Sequence, residues 1–238
     1  MIKKYIRFLK SLRDQNEEIL YANIWRDTLR GIPWAESLPS LSPGRFAVGY
    51  NYLYVITRIL IDMKPKSVLD VGLGISSTII STYFNSLDEK GEHIIIEHDK
   101  KWAGYYLQNH KLSDSSSVAF QGLTTRTLDG ALYDCYRKED LDEAIKGKKF
   151  SVISIDAPIG RPKGKYARRD LLDYIPQILE KSFVIIVDDA GRWGEKNTII
   201  ELEQILKKNG IKYSVSVYYG NSHVCVIASQ DNVHFCSL

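Results

Sequence analysis

The spacing of apolar positions changes along the chain, and each change marks an element. Over residues 2–29, Ile6, Leu9, Leu12, Ile19, Tyr21, Ile24, Trp25 and Leu29 recur mostly at three- to four-residue steps among charged side chains, which predicts one or two amphipathic helices. The interspersed acids favour a helical cap packed on the rest of the molecule over a helix lying on a membrane. Residues 31–44 hold Pro33, Pro39, Pro43 and several serines and read as a loop, followed by an apolar helix over about 46–61. The rhythm then alternates. Residues 67–71 read as a buried strand, 72–74 as a tight turn and 76–84 as a helix; 93–97 form a second buried strand and 99–110 a helix with Trp102, Tyr105, Tyr106 and Leu107 as its apolar positions. A short third strand is expected at 118–120, helical segments within 128–145, a fourth strand at 150–156, a helix over 169–179, a fifth strand at 183–188 and a helix over 195–206. Such alternation predicts a parallel sheet covered on both faces. Two β-rich runs, 212–219 and 223–229, break it; only Gly220-Asn221-Ser222 separates them, which makes an antiparallel hairpin.

Composition narrows the class. The 238 residues are 44% hydrophobic and 26% charged, enough for one large globular domain or a core with a small appendage. No apolar run approaches the roughly 18 residues of a membrane helix, and the basic N-terminal residues are not followed by a secretory pattern. Cys135, Cys225 and Cys236 form no close pair, so neither a zinc site nor a disulfide framework is expected, and a reducing cytoplasm fits. The 32 basic and 29 acidic residues leave a net charge of +3, too little for a dedicated nucleic-acid binder.

The richest stretch is Asp70-Val71-Gly72-Leu73-Gly74-Ile75-Ser76-Ser77, where the first strand turns into a helix. Gly72 and Gly74 let the backbone bend and approach a ligand, and free N–H groups at a helix start favour an anionic ligand group. Ser77 stands where a dinucleotide fingerprint has its third glycine, so that match is incomplete. Glu97, however, ends the next strand 23 residues after Gly74, near the roughly 20 expected of an acid that binds ribose hydroxyls. Together they predict a nucleoside cofactor.

At these residues the chain resembles the class I S-adenosylmethionine-dependent methyltransferases, over about 64–229. Residues 70–74 are similar to that superfamily's first motif, and Ile96-Glu97-His98-Asp99 to its acidic second motif. The resemblance implies a doubly wound, mostly parallel seven-stranded α/β sheet of order 3-2-1-4-5-7-6 with the last strand antiparallel. It would occupy residues 64–238 behind an N-terminal helical cap and lead-in helix at 1–63. It also implies that Gly72, Gly74 and Ser76 line the methionine part of S-adenosylmethionine, that Asp70 serves the amino group, and that Ser77, Glu97 and His98 belong to the cofactor site. The adenine pocket is expected after the third strand, near 122–125. A nicotinamide-dependent oxidoreductase and a non-catalytic binding module of the same fold remain open alternatives; the terminal hairpin speaks against the former.

Methyl transfer to a hydroxyl needs a group that holds the acceptor and takes its proton. Asp156 ends the fourth strand ahead of Ala157-Pro158, and Asp188 and Asp189 end the fifth. Their arrangement resembles the acidic metal triad of the catechol-type O-methyltransferases, with Asp189 where an amide is expected. Asp156, Asp188 and Asp189 are therefore candidate ligands of a divalent metal such as Mg²⁺, and Asp156 and Asp189 candidate acid–base groups. Asp188 could equally cap the following helix. The segment 156–159 lacks the second proline and the aromatic residue of DNA amino-methyltransferases, so a flipped base has no platform. Arg161, Lys163, Lys165, Arg168 and Arg169 put five positive charges in nine residues, a solvated basic loop or a lid. Arg161, Lys163, Arg168 and Arg169, with Arg192 beyond Asp189, are candidates for binding an anionic acceptor, and the methyl acceptor is expected to be an oxygen of a small or carbohydrate-like molecule. Trp193 could stack on the acceptor or belong to the core, and His223, beside the terminal hairpin turn, is a candidate base.

Overall fold

The computed structural model describes residues 2–41, 43 and 47–238. One helix, α1 (Ile2–Leu29), takes up the first periodic stretch. The described side chains of its first three turns are exposed, while its second half is pinned to α2 (Tyr50–Asp62): the Trp25 indole donates to Thr57 Oγ1 at 2.9 Å, and Glu18 accepts from the amides of Tyr50 and Asn221. The expected loop at 31–44 carries a short 3-10 turn at Pro33–Ser37, and the expected helix start at Phe46 lies outside the described residues.

α2 lies against the sheet itself. Tyr52, Leu53, Val55, Ile56, Ile59 and Leu60 are fully buried in one apolar layer with Val68, Val152, Val184 and Ile186, the inward residues of one sheet face. The opposite face, with Leu69, Val71, Ile153, Ile155, Ile185 and Val187, carries the second layer. Burial on both faces is why these strands read as continuous apolar runs.

The strands are β1 (Ser67–Val71), β2 (Glu92–Glu97), β3 (Ser116–Phe120), β6 (Phe150–Ile155), β7 (Leu179–Val187), β8 (Tyr213–Tyr218) and β9 (Val224–Ser229). They form one sheet of order β3-β2-β1-β6-β7-β9-β8, which in main-sheet numbering is the expected 3-2-1-4-5-7-6. β9 runs antiparallel to both neighbours, as the terminal hairpin predicts. Between strands lie α3 (Ile75–Asn85), α4 (Lys100–Asn109), α5 (Lys138–Ile145) and α6 (Trp193–Lys208). Parallel register aligns Val71 with Ile96 and Ile155, and Ile155 with Val187, so the turns after β1, β2, β6 and β7 share one edge of the sheet. No helix among the described residues is long and apolar enough to cross a membrane.

Two expectations are corrected. Residues 128–145 are helical only from Lys138; before it stand β4 (Leu123–Leu128) and β5 (Ala131–Tyr136), a separate two-stranded hairpin. Asp129 and Gly130 form its two-residue turn, both at positive φ (48° and 73°), the arrangement for which Asp-Gly is preferred. The helix expected over 169–179 is a single 3-10 turn, Asp170–Asp173. Pro176 offers no N–H and its ring would clash with the preceding turn, so no α-helix runs through, and β7 already begins at Leu179.

Candidate functional site

At the shared sheet edge a cavity of about 380 Å³ opens beside the glycine turn, within the range of small-ligand sites. Gly72, Leu73, Gly74, Ile75 and Ser76 form one wall, Glu97, His98, Asp99 and Trp102 a second, and Asp156, Ala157 and Ile159 a third. The two glycines differ in what they do. Gly72 has φ +117°, and a Cβ there would come within 3.2 Å of the Ala157 methyl, so the turn requires glycine. Gly74 is extended, at φ −171°, and a Cβ there would meet no atom within 4 Å. Its value is the open cradle it leaves beside the cavity.

The turn is fixed from below. Asp70 is fully buried and accepts from Ser77 Oγ at 2.6 Å and Ser154 Oγ at 2.6 Å, with Ser76 Oγ at 3.4 Å. Ser77 Oγ in turn accepts from the Gly74 amide at 3.1 Å. Asp70 and Ser77 thus stand beneath the turn as supports, outside the cavity wall, whereas Gly72, Gly74 and Ser76 line it.

Glu97 fastens the turn from the side. Its Oε2 accepts from the Leu73 amide at 3.1 Å, and its Oε1 from the amides of His98 and Asp99 at 2.6 and 2.7 Å. Burial alone would raise this carboxyl, but the hydrogen bonds from the His98 side chain and from the Asp99 and His98 amides outweigh it and hold the pKa below the usual glutamate value. His98 Nδ1 lies 3.2 Å from Oε1, and this pairing raises the imidazole pKa against the opposing effect of burial. Asp99 caps α4 by accepting from the amides of Lys101 and Trp102. That cap aims the Trp102 ring at the cavity, with its Nε1 donating to the Leu73 carbonyl at 2.7 Å, while Tyr106 OH donates to the Gly74 carbonyl at 2.5 Å.

Trp102 and Tyr106 were read from sequence only as apolar helix positions. Their spacing of four after the Asp99 cap, directly behind Glu97, was the available signal. Residues 122–125, where an adenine pocket is expected, do not line the cavity; Leu123 opens β4 instead.

At the far wall the acids gather. One carboxylate oxygen from each of Asp156, Asp188 and Asp189 lies within 4.8 Å of the others. Arg168 is already among them, with its side chain only 2% exposed: Nη2 is 2.7 Å from Asp189 Oδ2 and 3.1 Å from Asp156 Oδ1, and Nη1 donates to the Asp188 carbonyl at 3.0 Å. Asp188 Oδ1 accepts from Ser222 Oγ at 2.7 Å, and Asp189 Oδ2 also meets Arg192 at 2.8 Å. A divalent metal needs several anionic oxygens turned to one free point. Here Arg168 Nη2 already bridges Asp156 and Asp189, and Asp188 Oδ1 is taken by Ser222, so two of the three carboxylates face a guanidinium rather than a free point. Burial pushes the Asp156 carboxyl up, Arg168 pulls it down, and Asp188 and Asp189 push it further up, for a net rise. The side chain nonetheless stays about a quarter exposed.

The basic loop after β6 is largely neutralised by partners that sequence reading did not bring to it. The β4–β5 hairpin supplies Asp134, which accepts Arg161 at 2.7 and 2.8 Å, and Asp129, which lies 3.1 Å from Lys165 Nζ. Arg169 pairs with Glu201 of α6 at 2.5 Å, and Arg168 is buried. Arg168 and Arg169 are thereby built into the protein, whereas Arg161, though paired with Asp134, stays about a third exposed and lines a surface groove with Lys163. Among the described residues Lys163 has no ion pair, and Arg192, 58% exposed, has only Asp189. Both line this groove of about 220 Å³ with Trp193, beginning at Gly160 next to Ile159 of the main cavity. His223 stands beside the turn that follows Asp189, its carbonyl accepting the Ala190 amide at 2.8 Å, but its Nε2 is turned to Asp14 of α1 at 3.5 Å and its ring packs against Tyr219.

No family model and no curated protein matches the chain. Solved structures do. TomG, an O-methyltransferase from Streptomyces achromogenes solved with S-adenosylmethionine, superposes with a TM-score of 0.54 at 12% identity, over 91% of this chain and 97% of that one. The chain has the class I methyltransferase fold. Two further structures with this methyltransferase fold are similar. A Klebsiella pneumoniae protein described as an O-methyltransferase matches at TM-score 0.50 and 16% identity, over 88% of this chain and 89% of that one. A Clostridium thermocellum protein described as an rRNA methylase matches at 0.51 and 13%, over 80% and 100%.

Proposed function

We propose that the protein is an S-adenosylmethionine-dependent methyltransferase acting on a hydroxyl of a small, carbohydrate-like, anionic acceptor. The observation that carries this reading is the cavity that has the glycine turn with Glu97 on one side and Asp156 on the other. Gly72, Gly74 and Ser76 would take the amino-acid end of the cofactor, Glu97 the ribose, and Trp102 the adenosine flank. That cofactor supplies an electrophilic methyl group.

The protein's own task is to present an oxygen to it. Asp156 Oδ1 is tied to Arg168, whereas Oδ2 has no protein hydrogen bond among the described residues. It is the oxygen that would accept the acceptor's proton, and the raised Asp156 pKa makes it a stronger base than an ordinary aspartate. Lys163 and Arg192 in the adjoining groove would hold the acceptor's negative charge.

The test is turnover with S-adenosylmethionine across a panel of uronic and phosphorylated sugars beside neutral phenols. Asp156→Asn should abolish turnover and leave cofactor affinity within about twofold. Undiminished turnover in that variant would remove Asp156 from the chemistry, and preference for neutral acceptors would remove the anionic substrate class.

A further inference from the structure

A resident cation distinguishes this acid cluster from an empty metal site. Three carboxylates, Asp156, Asp188 and Asp189, lie together at the ends of β6 and β7, with Glu195 of α6 on the far side of Arg168, and such a partly buried group needs a counter-charge. Arg168 supplies it. The guanidinium reaches Asp156, Asp189 and the Asp188 carbonyl at 2.7 to 3.1 Å, and its Nε stands 3.9 Å from Glu195 Oε1.

The segment that delivers Arg168 is fixed rather than draped. Tyr166, Ala167 and Arg168 are buried, Thr198 Oγ1 donates to the Ala167 carbonyl at 2.5 Å, and the Gly194 position is so close to Ala167 that a Cβ there would sit 2.9 Å from its methyl. Arg168 itself has φ +54°, a left-handed conformation that costs a non-glycine residue energy and persists because its surroundings hold it. Asp189, where the resemblance expects an amide, adopts the same region at φ +58°, and its carboxylate is what the guanidinium grips most closely.

We propose that Arg168 takes the place of a divalent metal in this cluster, so that the protein binds no metal there and Arg168 acts as a positioning residue that fixes Asp156 Oδ1 and leaves Oδ2 to the cavity. This claim about cation occupancy stands whether or not the methyl-transfer reading does. A planar guanidinium suits the task because one nitrogen can bridge two carboxylates while a second holds a backbone carbonyl.

The test uses Mn²⁺ alone, followed by electron paramagnetic resonance on the full chain, with folding checked by circular dichroism. The wild-type protein should show no saturable Mn²⁺ binding at millimolar concentration. Arg168→Gln should create one site at least tenfold tighter, and adding Asp188→Asn to it should remove that site. A wild-type protein that binds one Mn²⁺, with the site lost in Asp156→Asn, overturns the proposal. So does a folded Arg168→Gln protein with no gain in Mn²⁺ affinity. If Arg168→Gln does not fold, Arg168→Lys and the wild-type titration decide: a lysine protein that remains metal-free supports the proposal, and stoichiometric Mn²⁺ on either protein refutes it.

Discussion

Replacing Glu97 by glutamine changes one oxygen into an N–H₂ group and should damage both the fold and the cofactor site. The carboxylate accepts three backbone amides: Leu73 on Oε2, and His98 and Asp99 on Oε1. A glutamine oxygen can keep the latter two, but its nitrogen then faces the Leu73 N–H at about 3 Å, donor against donor. Losing one hydrogen bond to a charged acceptor costs about 1.5 to 3 kcal/mol. For a chain of this length each kcal/mol shifts the melting temperature by roughly 2 to 4 °C, so Glu97→Gln should melt roughly 3 to 12 °C below wild type at pH 7.5. Because Leu73 lies inside the glycine turn, S-adenosylmethionine affinity should fall as well, by about 10- to 100-fold, or roughly 1.4 to 2.8 kcal/mol. The pH dependence has a definite sign. Hydrogen bonds lower the Glu97 pKa in the folded state, so its contribution is present above the unfolded glutamate value and is lost as the pH falls through the folded value. The gap between wild type and variant should therefore close in acid. A Glu97→Gln protein that melts with wild type at pH 7.5 and binds the cofactor equally well would refute the reasoning.

Asp170 titrates in the opposite sense: burial pushes its pKa up to about 6, its Oδ2 is buried without a partner, and only Oδ1 is used, by the Tyr136 amide at 2.5 Å. The ionised form thus costs the folded state above pH 6, by at most about 3 kcal/mol for a shift of about two units, and the cost fades as the pH falls towards the unfolded value. Asp170→Asn should raise the melting temperature at pH 8 and change it little at pH 4; no gain at pH 8 would contradict the burial argument. The two glycines of the turn should separate fold from binding. Gly72→Ala, at φ +117° and against Ala157, should lower stability by about 1 to 3 kcal/mol, whereas Gly74→Ala should melt close to wild type yet weaken cofactor binding by filling the cradle. Equal melting losses in both would show that Gly74 serves the turn and not the ligand.

Much of the sheet is legible because each buried strand is a short apolar run closed by a glycine turn or an acid: Gly72, Glu97, Asp156 and Asp188. The edge where these ends meet follows from parallel register alone. The β4–β5 hairpin is legible too, in Asp129-Gly130 between β-rich flanks, and it decides the charges. Without the hairpin, Arg161 and Lys165 read as free cations, since their partners Asp134 and Asp129 lie 27 and 36 residues earlier. Arg168 could not have been separated from its neighbours by composition: a lid arginine and a buried counter-ion look alike until β6, β7 and α6 are folded around it. Pro176 is a plain signal against a helix over 169–179.

The central claim is that the cavity between Gly72, Glu97 and Asp156 receives S-adenosylmethionine. Calorimetric titration of the wild-type chain with S-adenosylmethionine, S-adenosylhomocysteine and NAD tests it most directly. One equivalent of each sulfur compound should bind, NAD should not, and Gly74→Ala should weaken both. Saturable binding of NAD alone, or of none of the three, would contradict the account.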